Sequence, residues 1–289
     1  MAELLLHPET AHALERVAAH PVHAVLLEAP AGMGKTAIAR QFAAGLLDIS
    51  TNSLGTYPYY FEIAPEGTSI SIEVVRTIQQ RMYLKTLGTG LIRRIVLIND
   101  AHSMTTEAQN ALLKLLEEPP EDTVMILTAQ PEAGLLKTIK SRVLTIRLSQ
   151  PEPHLAVEYF VELGYSKPEV VKALSIAENR PALTAALLAS DQNHLLVSSI
   201  VIAKKILAAD TFTRLSYIDK LVKQKQDIPS LLFGLERVTH VLMLRAAEQS
   251  KTAQLLRTKR SLGAIVQARA NLAANPQPKL LLTDLFLQL

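Results

Sequence analysis

The chain has no cysteine and no tryptophan. Without cysteine there are no disulfides, no thiolate zinc sites and no cysteine nucleophile, and a reducing compartment is the natural home. Aromatic residues make up only 4% of the sequence against 48% hydrophobic residues in all, an Ala- and Leu-rich make-up that favours packed helices over a β-sandwich. No run approaches the roughly 18 uncharged residues that would span a bilayer. The opening MAELLLHPET carries Glu3 and only a three-leucine run, too short and wrongly charged for a secretory signal. These absences point to a cytoplasmic protein with no membrane partner, and neither a fixed-period repeat nor a low-complexity segment is present.

At 289 residues the chain is too long for one small core and fits two or three domains. Its net charge of +3 is unevenly spread: residues 1–150 hold 13 basic and 15 acidic side chains, residues 151–289 hold 17 and 12. The basic residues of the second half, among them Lys220, Lys223, Lys225, Lys251, Arg257, Lys259 and Arg260, fall within helical patterns. That spacing fits a solvated helix face first and a nucleic-acid contact second.

Five short apolar runs, Val22–Leu27, Tyr59–Ile63, Ile95–Ile98, Val124–Thr128 and Val143–Leu148, alternate with helical stretches up to residue 148. Runs of this length, bounded by polar or turn residues, are expected of strands buried on both faces of a parallel sheet, and strand–helix alternation predicts a three-layer α/β domain. A helix is expected to start after Ser71, and another at Thr106, with Gln109 completing a capping box and Pro119-Pro120 ending it. Beyond Gln150-Pro151-Glu152-Pro153 only helical periodicity remains, with breaks expected near Asp210, Pro229, Ser250 and Asn275-Pro276.

The first run leads into Ala29, Pro30, Ala31, Gly32, Met33, Gly34, Lys35 and Thr36, and then a helical Ala37–Leu47. Strand, glycine loop and helix in that order make a P-loop. Glycines let backbone N–H groups wrap phosphates, the helix N-terminus adds its positive end, Lys35 reaches the outer phosphates and Thr36 ligates Mg²⁺. One departure is that Ala29 stands where the pattern has its first Gly.

An ATPase of this kind ends a buried strand with Asp-Glu, the Asp holding the metal through water and the Glu orienting the attacking water. Here Ile95–Ile98 is followed by Asn99-Asp100-Ala101-His102. In one register Asn99 takes the metal position and Asp100 the base position; in the other Asp100 is the metal-associated carboxylate and has no base beside it. Either way one part is missing, which predicts nucleotide binding with weak or absent hydrolysis. His102 is expected to be a loop residue.

Residues 110–120, NALLKLLEEPP, and 135–142, LLKTIKSR, closely resemble the bacterial clamp-loader subunits of DNA polymerase III, whose segments read NALLKxLEEPP and LLxTIxSRC. The ending Pro276 to Leu289, with Asn275 before it, resembles that family's last helix. The resemblance implies an AAA+ P-loop NTPase domain over 1–148, a small helical lid over 149–208 and a helical collar domain for oligomerisation over 209–289. It implies ATP with Mg²⁺ as the ligand, no zinc, and a hetero-oligomer with the gamma or tau and delta subunits, the sliding clamp and primer-template DNA. Polymerase activity would belong to the assembly. The family's Ser-Arg element implies that Arg142 is an arginine finger for ATP held by the adjacent subunit, and Val143 replaces the usual Cys. Arg180 falls where such proteins present a second sensing arginine, or else serves only to start a helix.

Within the family the delta-prime type fits best, because the motor subunits carry an intact loop, an Asp-Glu pair and a four-cysteine zinc module. The alternatives are an ATP-hydrolysing motor of the gamma or tau type and an interaction subunit that binds no nucleotide.

Overall fold

A computed structural model describes residues 4–67, 69–82, 84–87, 89–131, 134–191, 193–223, 227–272 and 276–289; Asn275 and Lys225 lie outside the described residues. The chain divides into two compact units, Met1–Glu152 and Pro153–Leu289.

The first unit is built on five parallel strands, β1 Ala24–Glu28, β2 Tyr60–Ile63, β3 Arg94–Ile98, β4 Thr123–Ala129 and β5 Leu144–Arg147, in the order β2-β3-β4-β1-β5. Because side chains alternate across a strand, the apolar runs supply two cores at once. Ala24, Leu26, Val96, Ile98, Met125 and Leu127 face α3 Ile72–Met82 and α4 Thr106–Glu117. Val25, Leu27, Ile95, Leu97, Val124 and Ile126 face α1 Pro8–Ala19 and α2 Lys35–Leu46, where Leu14, Val17, Ile38 and Phe42 close over them. This is the three-layer α/β arrangement expected from the sequence.

Three local expectations are corrected. Thr105, not Thr106, caps α4, its Oγ1 accepting from the Ala108 N–H at 3.2 Å. Gln109 is not part of a capping box. Its amide donates to the carbonyls of Met104 and Gly134 and accepts from the Leu136 N–H at 2.8 Å, so it ties α4 to the loop ahead of α5 Lys137–Lys140. A buried amide with all three bonds made does more here than it could at an exposed helix end. Strand β3 also begins one residue early, at Arg94. Its side chain is buried, and its guanidinium donates to the carbonyls of Met82 (2.7 Å) and Leu84.

The second unit is helical throughout: α6 Pro153–Glu162, α7 Lys167–Ala177, α8 Pro181–Leu188, α9 Leu195–Ala208, α10 Thr211–Lys223, α11 Ile228–Glu248, α12 Thr252–Asn271 and α13 Pro278–Gln288. The long α11 packs on α9 and α12, burying Leu231, Leu232, Leu235 and Val238. Gly234 lets α11 approach α9, since a Cβ there would lie 2.6 Å from the Ser199 carbonyl oxygen. Among the described residues no helix is long and apolar enough to cross a membrane.

Candidate functional site

The loop after β1 holds Gly32 and Gly34 at φ 85° and 87°, the left-handed region that glycine enters without a Cβ penalty. Gly34, which has no side chain to cap with, is the N-cap of α2, so the positive end of the helix dipole opens onto the glycine loop. The Lys35 ammonium lies across the loop, donating to the carbonyls of Ala29 at 3.0 Å and Pro30 at 3.3 Å. Ala29 continues the strand, its N–H donating to the Ala129 carbonyl at 3.1 Å, and it is not among the positive-φ residues. The missing first glycine is therefore harmless to the backbone. Pro30, Ala31 and Met33 complete the turn, with Met33 buried in the core under α2.

The structure brings Thr36 and Asn99 together. Thr36 Oγ1 donates to Asn99 Oδ1 at 2.9 Å, and Asn99 is 5% exposed at the end of β3. That contact fixes the amide orientation, because Asn99 Nδ2 then points at Glu62 and donates to Oε1 at 2.7 Å. Glu62 also accepts from Tyr60 Oη at 2.7 Å and from Arg40, whose Nη2 and Nε lie at 2.7 and 3.0 Å. Burial pushes the Glu62 carboxyl up, but the bonds from Arg40, Tyr60 and Asn99 outweigh it and its pKa is lowered. Burial, with the Glu62 bond next, raises the Tyr60 phenol above its ordinary value.

Sequence reasoning missed Glu62 and Arg40. The signals were an acidic residue inside the apolar run Tyr59–Ile63, and Arg40 one helical turn beyond Thr36, on the same face of α2.

Asp100 follows in the left-handed conformation (φ 46°), its N–H donating to Thr128 Oγ1 at 2.9 Å, and it opens the 3₁₀ turn Ala101–Ser103. His102 sits in that turn. Burial lowers its pKa, the Asp100 charge opposes the shift and the Lys35 ammonium adds to it, so the imidazole is neutral near pH 7. Thr128, a polar side chain on the central strand β4, is a third residue of the site that sequence reasoning did not single out.

Arg142 stands apart from the phosphate loop in its contacts. Its guanidinium pairs with Glu117 (Nη2 to Oε1, 2.8 Å) and donates to the Thr138 carbonyl at 3.1 Å, while its own carbonyl accepts from His23 Nε2 at 3.0 Å. The side chain is 36% exposed and Glu117 50%, so the pair is a weak, surface-type tether. Arg180 lies in the helical unit, bonded to Glu178 at 2.8 Å and stacked over Phe233 at 5.0 Å, and Arg237 pairs with the same Glu178.

These residues suit a polyphosphate and suit a divalent cation poorly. The glycine loop, helix end and Lys35 are arranged for anionic oxygens. At the metal position, however, stands a neutral amide whose NH₂ already donates to a saturated carboxylate.

Strand order β2-β3-β4-β1-β5, all parallel, with a phosphate loop after β1 and a polar strand end on β3, defines an AAA+ P-loop NTPase fold. The family model described as "DNA polymerase III, delta subunit" matches residues 7–152, half of the chain, and the chain belongs to that family. It is 34% identical to DNA polymerase III subunit delta' of Pseudomonas aeruginosa over 184 residues, 58% of this chain and 56% of that protein. It is 29% identical to the subunit of the same name from Escherichia coli over 186 residues, 58% and 55% of the two chains. The chain thus spans about half the length of the curated relatives it matches. The solved structure of a DNA polymerase III gamma subunit-related protein from Thermotoga maritima superposes with a TM-score of 0.55 at 20% identity, covering 96% of this chain and 97% of that one. At that identity the likeness is one of fold.

Proposed function

We propose that the chain is a delta-prime-type clamp-loader subunit, a stator in a hetero-oligomer with gamma or tau and delta subunits that helps place the sliding clamp on primer-template DNA. The observation that carries this is the pairing of a retained phosphate loop with a neutral Asn99. Thr36 keeps its hydrogen bond, but the acidic group that would recruit Mg²⁺ and the glutamate that would orient water are both replaced.

In this role the phosphate loop holds ATP through Gly32, Gly34, Lys35 and the α2 N-terminus, and turns over little of it. The catalytic contribution is Arg142, offered as a finger to ATP on the neighbouring subunit. Its fixed fork of donors suits charge developing on the γ-phosphate better than an ammonium would. The weak Glu117 tether leaves the guanidinium available without leaving it unplaced. The second unit supplies the lid, to about residue 208, and the collar beyond it. Arg180 serves inside that unit, held by Glu178 and Phe233, with a sensing role secondary. DNA replication is the process and the cytoplasm the compartment.

Reconstitution tests this. Purified gamma or tau, delta and clamp should assemble with the full chain and load clamp onto primed circular DNA, and loading should fail when it is omitted. A preparation that neither co-purifies with those subunits nor changes loading contradicts the proposal. A motor of the gamma type would instead show ATP turnover by this chain alone, lost on Lys35→Ala.

A further inference from the structure

The Asn99 amide has consequences for what the phosphate loop can bind. In a metal-dependent P-loop the strand-end carboxylate does two things: one oxygen accepts from the loop's Ser or Thr hydroxyl and the other accepts from water on the metal. Here the first function survives, since Thr36 Oγ1 donates to Asn99 Oδ1 at 2.9 Å. The second is reversed, because the remaining atom is Nδ2, a donor, and it is already committed to Glu62 at 2.7 Å.

Nor can Glu62 take over. Its Oε1 accepts from Asn99 Nδ2 and Arg40 Nη2, and its Oε2 from Tyr60 Oη and Arg40 Nε, so both oxygens are filled and the carboxylate charge is met by a guanidinium. A chain of bonds from Thr36 through Asn99 to Glu62 and Arg40 therefore removes the Asn99 position as acidic support for a metal, and the carboxylate left at this strand end, Asp100, has its charge beside His102. The phosphate side, with Gly32, Gly34 and Lys35, remains built for anionic oxygens.

We propose that this phosphate loop binds a nucleoside polyphosphate without a divalent cation, the Asn99–Glu62–Arg40 chain having replaced the metal's acidic support. The inference rests on nucleotide binding as proposed above. It makes Asn99 a specificity-determining residue, selecting the metal-free form of the ligand.

The experiment is isothermal titration of the 289-residue chain with ATP, once in excess EDTA and once in excess MgCl₂, with Asn99→Asp and Lys35→Ala alongside and circular dichroism to confirm each fold. The wild type should show dissociation constants within about threefold of each other, and Asn99→Asp should bind about 10- to 100-fold more tightly in Mg²⁺ than in EDTA, the range a restored outer-shell acceptor commands. Lys35→Ala should weaken binding in both buffers. A wild-type preference of tenfold or more for Mg²⁺ overturns the inference and leaves nucleotide binding intact. Absence of ATP binding in both buffers, or binding indifferent to Lys35→Ala, overturns nucleotide binding at this loop and the inference with it. Arg40→Met in Asn99→Asp separates the two parts of the chain: if the gain in Mg²⁺ affinity appears only when Arg40 is removed, Asn99 is not the selecting residue.

Discussion

Replacing Glu62 by Gln keeps the shape of the side chain and removes its charge, and the structure sets the cost. Of the two charge-assisted hydrogen bonds, from Tyr60 Oη and Asn99 Nδ2, both at 2.7 Å, the one that keeps the Gln carbonyl becomes neutral and the other meets an NH₂ donor in place of its acceptor, a loss of about 1 kcal/mol or more each. The Arg40 pair adds no more than about 1 kcal/mol, because Arg40 is 49% exposed and screened by water. The expected destabilisation is about 2–3 kcal/mol. Its pH dependence follows from the lowered Glu62 pKa. A depressed carboxyl contributes stability above its unfolded value of 4.5 and loses it as pH falls through the lower folded value, so wild type and variant should converge in acid. Urea unfolding of the full chain at pH 7 and pH 3, with hydrogen exchange at the Asn99 N–H that bonds to Ile63, reads both effects. A penalty below about 0.5 kcal/mol, or one unchanged at pH 3, would refute the network as drawn.

Ala29→Gly, which restores the usual loop pattern, should leave ATP affinity unchanged and cost about 0.5–1 kcal/mol of stability, because Ala29 is strand-like and needs no glycine freedom; titration and urea melts check the two halves. Gly234→Ala should destabilise the helical unit by about 1–3 kcal/mol or more, since its Cβ would meet the Ser199 and Ile200 backbone, and thermal unfolding by circular dichroism would show it. Glu117→Gln should loosen Arg142 while costing less than about 1 kcal/mol, because both partners are largely solvated, as a urea melt would report.

The inner strands β1, β3 and β4 were legible as short apolar runs because burial on both faces leaves no polar alternation to obscure them, while the edge strands β2 and β5, only partly buried, were read from the short apolar runs Tyr59–Ile63 and Val143–Leu148 despite Glu62 and Arg147. The strand order was not, since it depends on pairings such as Tyr60 with Ile95 and Val25 with Leu144 that no local pattern encodes. Strand β3 was read one residue short because a charged Arg94 looks like a boundary, and the carbonyls of Met82 and Leu84, with the Asp122 charge, make its burial tolerable. The course of the glycine loop from β1 into α2 could be read residue by residue, its parts being contiguous. The contact of Thr36 with Asn99 followed from the motif's own chemistry, whereas Glu62 and Arg40 entered through the fold, 37 and 22 positions from their partners in the chain. Thr105 took the cap from Thr106 because the bond is decided by one residue of helix phase.

The sharpest test of the stator role compares two variants of this chain in an otherwise wild-type reconstituted loader, with ATP turnover measured on primed DNA and clamp. Arg142→Ala should assemble normally and lower turnover at the one adjacent site by about 10³-fold or more, the scale of an arginine finger, while Lys35→Ala should leave turnover unchanged. Turnover that survives Arg142→Ala and falls with Lys35→Ala would contradict the account, because the chain would then be burning its own ATP rather than completing its neighbour's site.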